Sequence, residues 1–380
     1  MKDIFVVLGN GFTIDFINYY NFCCSQNKKK KVSIDVSNLF RYGEVIEIPW
    51  ERRPGFLSYK ICPALWTLGA RCSLSIEESN SLIEEIISCA NMFFDFINNP
   101  DLKEKERRLS MVNDNEKRIH LRAYNELIVY LRLLFSWYNT LISDSDIDNF
   151  IEFNSQADNH NKWGWLEFLQ KIDKEKITFV SYNYDIWLER LLQRLGKKFK
   201  VYGINCKENA GENTEKNTDK DTDENIEIIK PHGSISFVPK NFTKQYEISY
   251  KFDVDGIACS SLKLEYDSLG EYLTGAIIPP AGDSSRLETT TSWAKEIRTH
   301  AVEKAKTLAD SESSVVICGL SYWHVDRKEI DELLINFSPF TELTFINPFP
   351  PRDLNAVLAS IFDNYILQSS SERIGRIIYG

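Results

Sequence analysis

The sequence predicts an α/β fold, from two observations. Short apolar runs without polar interruption alternate with segments of helical period, the pattern of parallel strands buried on both faces. Residues 75–150, which separate the first apolar run from the later ones, show only the spacing of apolar residues that is typical of helices. We therefore expect a Rossmann-like, mostly parallel sheet with helices on both faces. Its domain comprises residues 1–40 and 155–380, and residues 41–154 form a largely helical insertion.

The chain opens with a predicted strand at residues 4–8, which meets a glycine turn at once. Four lysines at residues 28–31 follow, and we expect them to form a solvated loop. Residues 32–74 show no period that assigns them. The strand is too short to be the core of a signal peptide, and no small-residue cleavage site follows it.

Two amphipathic helices define the insertion. Ser75 and Glu78 have the spacing of a capping box, so a helix is expected to begin there. Apolar residues then recur at helical period over residues 82–97 and again over 124–141. Their aromatic stripes indicate packing between helices rather than a ligand site.

After residue 160 strands and helices alternate. A glycine, Gly196, is placed to end one helix, and residues 207–225, without a large apolar side chain, are expected to form a mobile loop. The predicted strands are residues 177–181, 199–202, 226–230, 315–318 and 343–346, and the predicted helices are residues 165–172, 185–195, 292–308, 326–335 and 352–367.

Composition excludes several classes of partner. The 380 residues include 45 basic and 55 acidic side chains, a net charge of −10. This argues against duplex DNA or an anionic membrane as the main partner, because both favour clustered Lys and Arg. No apolar run reaches the 18 residues of a membrane span. Eight cysteines without a C-x-x-C pair make zinc and a disulfide framework unexpected, so we expect no metal and a cytoplasmic location.

The first segment that suggests chemistry is the turn after the opening strand, Gly9-Asn10-Gly11-Phe12. Two glycines allow a tight turn and a close approach to a pyrophosphate, and the helix that follows offers free N–H groups. The third glycine of the dinucleotide fingerprint is missing. A tight turn without a ligand explains the segment equally well.

The second segment, residues 181–185, ends a buried strand, where ligands of parallel sheets bind. Asn183 lies at that rim, and its amide can orient a water or a ribose hydroxyl without a change of charge. Asp185 either contributes to binding or caps the next helix.

The third segment, residues 230–234, places His232 after another strand, beside Gly233. A histidine there suits proton transfer, although a structural, hydrogen-bonded histidine is the simpler interpretation. The remaining histidines have no metal-ligand spacing: His120, His160, His300 and His324.

The fourth segment is a late glycine turn with Gly319 and Ser321, which a nucleotide crevice would need opposite the first. The pair Pro279 and Pro280 makes a stiff loop that either walls the site or simply turns the chain.

Together and in this order, the four segments resemble the sirtuin-like NAD-hydrolase family of bacterial anti-phage defence, over residues 1–25 and 160–345. The resemblance implies that Asn183 and His232 are catalytic and that NAD is the substrate. It further implies cofactor-binding roles for a second set: Gly9, Asn10, Gly11, Phe12, Asp185, Gly319 and Ser321.

Two departures qualify the resemblance. The chain lacks the four-cysteine zinc module of lysine-deacetylating sirtuins, which speaks against deacetylation. Phe22 is not followed by the arginine that sirtuins carry. The first turn together with Tyr20-Asn21-Phe22 is equally similar to the abortive-infection H family, a related group of phage-defence proteins.

The resemblance implies an NAD glycohydrolase that releases nicotinamide and ADP-ribose in an abortive-infection system. It also implies a repressed resting state, governed by a homo-oligomer or by a second defence protein, with the helical insertion as the contact surface. Three alternatives remain open: a sensor that binds NAD or ADP-ribose without turnover, a scaffold subunit of a larger assembly, and an ADP-ribosyltransferase.

Overall fold

The computed structural model describes most of the chain. It covers residues 3–98, 118–157, 162–204, 225–240, 248, 258–273, 275–280, 292–308, 313–322 and 327–375. The expected mobile loop at 207–225, apart from Asn225, lies outside the described residues, as do His160, His324 and Asp326.

Eleven strands and ten helices are described. The strands are β1 (Asp3–Leu8), β2 (Glu47–Ile48), β3 (Arg53–Pro54), β4 (Lys176–Ser181), β5 (Lys200–Val201), β6 (Ile226–Ile229), β7 (Phe237–Pro239), β8 (Leu262–Leu264), β9 (Ser314–Cys318), β10 (Glu342–Ile346) and β11 (Tyr365–Gln368). The helices are α1 (Asn10–Gln26), α2 (Pro63–Thr67), α3 (Ile76–Asn98), α4 (Ile119–Thr140), α5 (Asp144–Gln156), α6 (Gly164–Lys171), α7 (Trp187–Arg194), α8 (Ser292–Thr307), α9 (Arg327–Leu334) and α10 (Arg352–Ile361).

Seven strands form one parallel sheet in the order β11-β10-β9-β1-β4-β6-β5. This confirms the predicted Rossmann-like α/β class. Strand β1 lies at the centre, and its residues 4–8 are at most 1% exposed, as a strand covered by helices on both faces requires. Burial of such apolar side chains contributes about 1.5–3 kcal/mol each and is the main force holding the sheet.

The order of the strands locates the ligand-binding edge. Strand β1 lies between β4 and β9. The next strand of the sheet after β1 is β4, on one side, and the next strand after β9 is β10, on the opposite side. The two connections leave in opposite directions, so β1 and β9 flank the topological switch point, where open α/β sheets bind ligands. Leu8 pairs with both Ser181 and Cys318, which sets the turns that follow the three strands side by side.

The helical insertion packs as its sequence predicts. The Ser75 N–H donates to Glu78 Oε2 at 2.8 Å, and the Glu78 N–H donates to Ser75 Oγ at 3.2 Å, which confirms the capping box. Phe94 of α3 meets Tyr124 of α4 edge to face. Buried Glu126 of α4 accepts from two backbone N–H groups at the start of α2. The predicted helix–helix packing is therefore confirmed.

Three sequence expectations need correction. The last helix ends at Ile361 rather than residue 367, and the edge strand β11 follows it; the apolar pair at residues 366 and 367 only imitated helical spacing. The helix predicted from Asp185 begins at Trp187 and has Ile186 as its N-cap, so Asp185 lies outside the helix, where its Oδ1 accepts from the Trp187 N–H. Residues 41–75, assigned to a largely helical insertion, contain the β2–β3 hairpin and the five-residue α2. In the part of the chain that is described, no helix has the length and apolarity to span a bilayer.

Candidate functional site

The two glycine turns interlock at the switch point. The Gly9 N–H donates to Cys318 O at 2.9 Å, and the Gly11 N–H donates to Gly319 O at 3.1 Å. A Cβ on Gly11 would fall 2.3 Å from Gly319 Cα, a distance that no side chain tolerates. Gly319 has a φ of +57°, in the left-handed region that favours glycine. Packing between the turns therefore requires these glycines whether or not a ligand binds.

The residues after Gly9 divide between surface and core. Asn10 is exposed at the start of α1. Phe12 is buried, and its ring packs edge to face on Trp165. The Phe12 side chain therefore supports the core, whereas Asn10 and the amino end of α1 face solvent beside the sheet edge.

Asn183 lies in the loop after β4 and is 2% exposed. Both protons of its amide are used, because Nδ2 donates to Gly9 O at 3.0 Å and to Thr13 Oγ1 at 3.2 Å. Its Oδ1 is buried and has no hydrogen-bond partner among the described residues. Buried acceptors are nearly always paired, so this oxygen is a candidate to accept a hydrogen bond from a ligand hydroxyl or a water.

Asp185 closes the same network from the other side. Thr13 Oγ1 donates to Asp185 Oδ2 at 2.6 Å, and the Trp187 N–H donates to Asp185 Oδ1 at 3.3 Å. Burial raises the pKa of Asp185 despite the nearby Lys230 ammonium and the Thr13 hydroxyl, which favour its ionised form. Both oxygens thus have protein partners, although the N-cap of the following helix is Ile186 and not Asp185, so these contacts give Asp185 a structural role in the loop.

His232 follows β6, the strand next to β4, and is 6% exposed. Its Nε2 lies 3.2 Å from Glu329 Oε2 on α9, and Arg298 of α8 approaches the same carboxylate oxygen at 3.8 Å. The Tyr182 ring meets the imidazole edge to face at 5.0 Å. A carboxylate in contact with one ring nitrogen orients the imidazole and stabilises the imidazolium that forms when it takes up a proton.

The segment after His232 is held by the predicted proline loop. Gly233 has a φ of +79°, and a Cβ there would fall 1.9 Å from Ala276 O. The Ile278 N–H donates to His232 O at 3.0 Å, directly before Pro279 and Pro280. The predicted stiff loop therefore does lie against the His232 segment.

The helical insertion reaches the same loop. Phe135 of α4 packs edge to face on Tyr184 at 5.3 Å. The Tyr184 hydroxyl donates to Ile278 O at 2.6 Å. The insertion thus contacts the elements around His232 directly.

Ser321 and two of the remaining histidines have other surroundings. Ser321 is exposed in the turn after β9. His120 pairs with Glu85 on the helical insertion, and His300 pairs with Glu227. Within the described ranges, no group of three or more His, Cys, Asp or Glu side chains could hold a metal ion.

Sequence reasoning missed Glu329, Thr13 and the buried partner of Lys230, which is Glu189 at 2.8 Å. Thr13 comes directly after the segment Gly9-Asn10-Gly11-Phe12. Glu329 lies in the first turn of α9, the helix that follows β9 in the chain. The position of Thr13 carried a signal, since a hydroxyl just past the turn after a strand lies near the edge where such sheets bind ligands. Nothing in the residues alone joined Glu329 to His232.

No protein-family model matches this sequence, and no curated protein matches it at a significant level.

Proposed function

We propose that the protein is an NAD glycohydrolase, with its active site at the carboxyl edge of the sheet around Asn183 and His232. One observation carries the proposal: a buried amide with an unpartnered oxygen and a histidine oriented by a carboxylate follow neighbouring strands of one sheet. The adjacent switch point suits a dinucleotide. The resemblance described above supplies the substrate and the context of phage defence.

The reaction needs little acid catalysis. Water attacks C1′ of the nicotinamide ribose, and the bond from C1′ to the pyridinium nitrogen breaks. The electron pair of that bond stays with nicotinamide, which leaves as a neutral molecule. The attacking water loses one proton, and the products are nicotinamide, ADP-ribose and a proton.

Asn183 is proposed to position the reacting groups. Its Nδ2 is committed to Gly9 O and Thr13 Oγ1, so the amide plane is fixed. Oδ1 then accepts a hydrogen bond from the ribose or from the attacking water. Holding the nucleophile and the sugar in one geometry is a large part of what an enzyme contributes to such a displacement.

His232 is proposed as the general base. It accepts the proton of the water or of a ribose hydroxyl, and the Glu329 carboxylate at 3.2 Å stabilises the resulting imidazolium. A positioned base of this kind contributes about 10²–10⁴-fold. Glu329 acts through His232 and is a positioning residue.

The phosphates are proposed to lie at the amino end of α1. The N–H groups of Gly9 and Gly11 already donate to the β9 turn. Binding at this end therefore depends on the positive end of the helix dipole and on exposed Asn10, rather than on the glycine N–H groups.

The test measures nicotinamide release from NAD by the purified chain and its variants. Asn183→Ala and His232→Gln are expected to reduce kcat at least about 100-fold. Two substitutions outside the site serve as matched controls and should match the unsubstituted chain. They are Asn125→Ala, an amide bonded to Leu121 O on α4, and His120→Gln, a histidine paired with a glutamate 2.9 Å away.

Three outcomes would redirect the proposal. NAD consumption unchanged in both site variants would refute the site. Nicotinamide release that exceeds ADP-ribose release would indicate transfer to a macromolecule. Thermal stabilisation by NAD with no product, alone and with candidate partners, would indicate a sensor. The context of phage defence is tested by phage challenge of cells that express the chain or its His232→Gln variant, with cellular NAD as the readout.

A further inference from the structure

A cavity of about 710 Å³ lies where the insertion meets the α/β domain, between the β2–β3 hairpin, α4 and the turn at Gly270 and Glu271. Its size is within the range of about 300–1,000 Å³ that is typical of small-molecule sites. None of its lining residues belongs to the site around Asn183 and His232. It therefore requires a separate explanation.

Two tryptophans line the cavity, and each packs on other aromatic rings. Trp50 lies in the hairpin loop and meets Phe56 edge to face at 6.4 Å. Trp137 of α4 packs against Tyr42 at 5.6 Å and Tyr138 at 5.4 Å. Rings fixed in this way present flat apolar surfaces at little entropic cost, which favours a planar aromatic ligand.

The ionised side chains of the cavity are mostly carboxylates. Ser136 is 3% exposed, lines the cavity, and its Oγ has no hydrogen-bond partner among the described residues. Glu47 and Glu271 add two exposed carboxylates, against the single cation of Arg52 among the lining residues. The Ser136 Oγ is itself buried away from the cavity, so the charged surface that a ligand meets is that of the two carboxylates and Arg52. The two carboxylates favour a ligand that carries N–H donors and disfavour phosphates.

We propose that this cavity binds a heteroaromatic amine of nucleoside size, with its ring against the two indoles and its amino groups on the carboxylates, and that its occupancy regulates the site at the sheet edge. The regulatory part rests on the proposed function.

Helix α4 provides the connection. One turn before Ser136, buried Arg132 donates through Nε to Tyr272 O at 3.0 Å, next to the cavity-lining Glu271. Arg132 Nη1 lies so close to Gly275 that a Cβ there would fall 2.2 Å from it. Gly275 begins the segment 275–280, in which the Ile278 N–H donates a hydrogen bond to His232 O. A shift of α4 or of the turn at residues 270–272 is thereby passed to the histidine.

The binding test titrates the full chain with adenosine, guanosine and cytidine, followed by tryptophan fluorescence and by calorimetry. We expect one of them to bind saturably, with a dissociation constant of the order of 0.1 mM. Trp50→Leu and Glu271→Gln should each weaken binding about 10-fold or more, as the loss of one stacked ring or one acceptor implies. Trp66→Leu, at an indole that does not line the cavity, is the matched control.

Several results would overturn the site: no binding of any nucleoside at millimolar concentration, equal binding by both cavity variants, or tighter binding of AMP or of the aliphatic cation agmatine. His232→Gln should bind the nucleoside as the unsubstituted chain does, so binding is judged independently of NAD hydrolysis. Saturation with the nucleoside should change the rate of nicotinamide release at least 5-fold, and Glu271→Gln should abolish that change. Binding without any change in rate would overturn the regulatory part alone.

Discussion

A buried ion pair ties together the two loops that carry Asn183 and His232. Lys230, directly after β6, is 1% exposed in its side chain, and Glu189 of α7 is 2% exposed. Lys230 Nζ lies 2.8 Å from Glu189 Oε1 and also donates to Asp185 O. The substitution Lys230→Met keeps most of the unbranched side chain, which is one atom shorter, and removes its charge, which leaves the Glu189 carboxylate buried without its cation.

The expected cost follows from this burial. Removing one partner of a fully buried pair typically costs about 3–5 kcal/mol, because the remaining charge is uncompensated. With an unfolding entropy of about 0.8 kcal/mol per kelvin for a chain of 380 residues, the melting temperature should fall by about 4–6 °C. The double variant Lys230→Met with Glu189→Leu removes both charges. Its free energy of unfolding should be within about 2 kcal/mol of that of the unsubstituted chain, because only the hydrogen bond to Asp185 O is then lost.

Urea unfolding of the four proteins in this cycle, at pH 7 and fixed salt, measures the coupling between the two residues. A coupling energy of several kcal/mol is expected. A cost below about 1 kcal/mol for Lys230→Met, or strict additivity in the double variant, would show that the pair is solvated and that this reasoning is wrong.

Three further predictions concern stability. Gly11→Ala should cost about 1–3 kcal/mol because its Cβ would meet Gly319 Cα at 2.3 Å, whereas Gly270→Ala, with no described atom within 4 Å, should be nearly neutral in the same thermal melts. Burial raises the pKa of Asp185, so the native state binds the proton more tightly than the unfolded chain does. The resulting contribution to the free energy of unfolding is complete below about pH 3.8 and is lost as the pH rises through the native pKa. Urea titrations of Asp185→Asn should not show this pH-dependent loss of stability. For Glu227, burial acts to raise the pKa, but its ion pairs hold it at about 2. Because Lys200 and Lys304 are partly exposed, solvent screens these pairs, and Glu227→Gln should cost about 1–2 kcal/mol at pH 7. The difference should shrink in acid unfolding as the pH falls from 4.5 to 2.

The fold followed from the sequence where the local signal and the buried environment agree. The run at residues 4–8 is apolar on both faces, and only a central strand buries side chains on both of its faces. The edge strand β11 carried no such signal. Ile366 and Leu367 are exposed on it, so burial does not impose the alternation by which a strand is recognised.

The location of the candidate site was predictable where it depends on the ends of strands. Asn183 and His232 come just after two buried runs, and parallel strands bring their carboxyl ends to one edge. Glu329 was not predictable in the same way. It stands 97 residues from His232, and its contact depends on how α9 packs against the sheet. Such a distance in sequence leaves no local pattern.

The glycines of the two turns and Asn183 differ in how strongly they indicate a bound ligand. Gly11 and Gly319 have a sufficient reason in the contact between their own turns, so a protein without any ligand would need them as well. Asn183 has no such sufficient reason. Its Nδ2 serves the fold, but a buried, unpaired Oδ1 costs about 1–3 kcal/mol, and nothing in the described structure offsets that cost. Asn183 follows the strand next to the one that leads to the oriented His232, and a ligand hydroxyl or a water on Oδ1 would remove the cost of the unpaired oxygen. For this reason Asn183 supports a catalytic role more strongly than the glycines do.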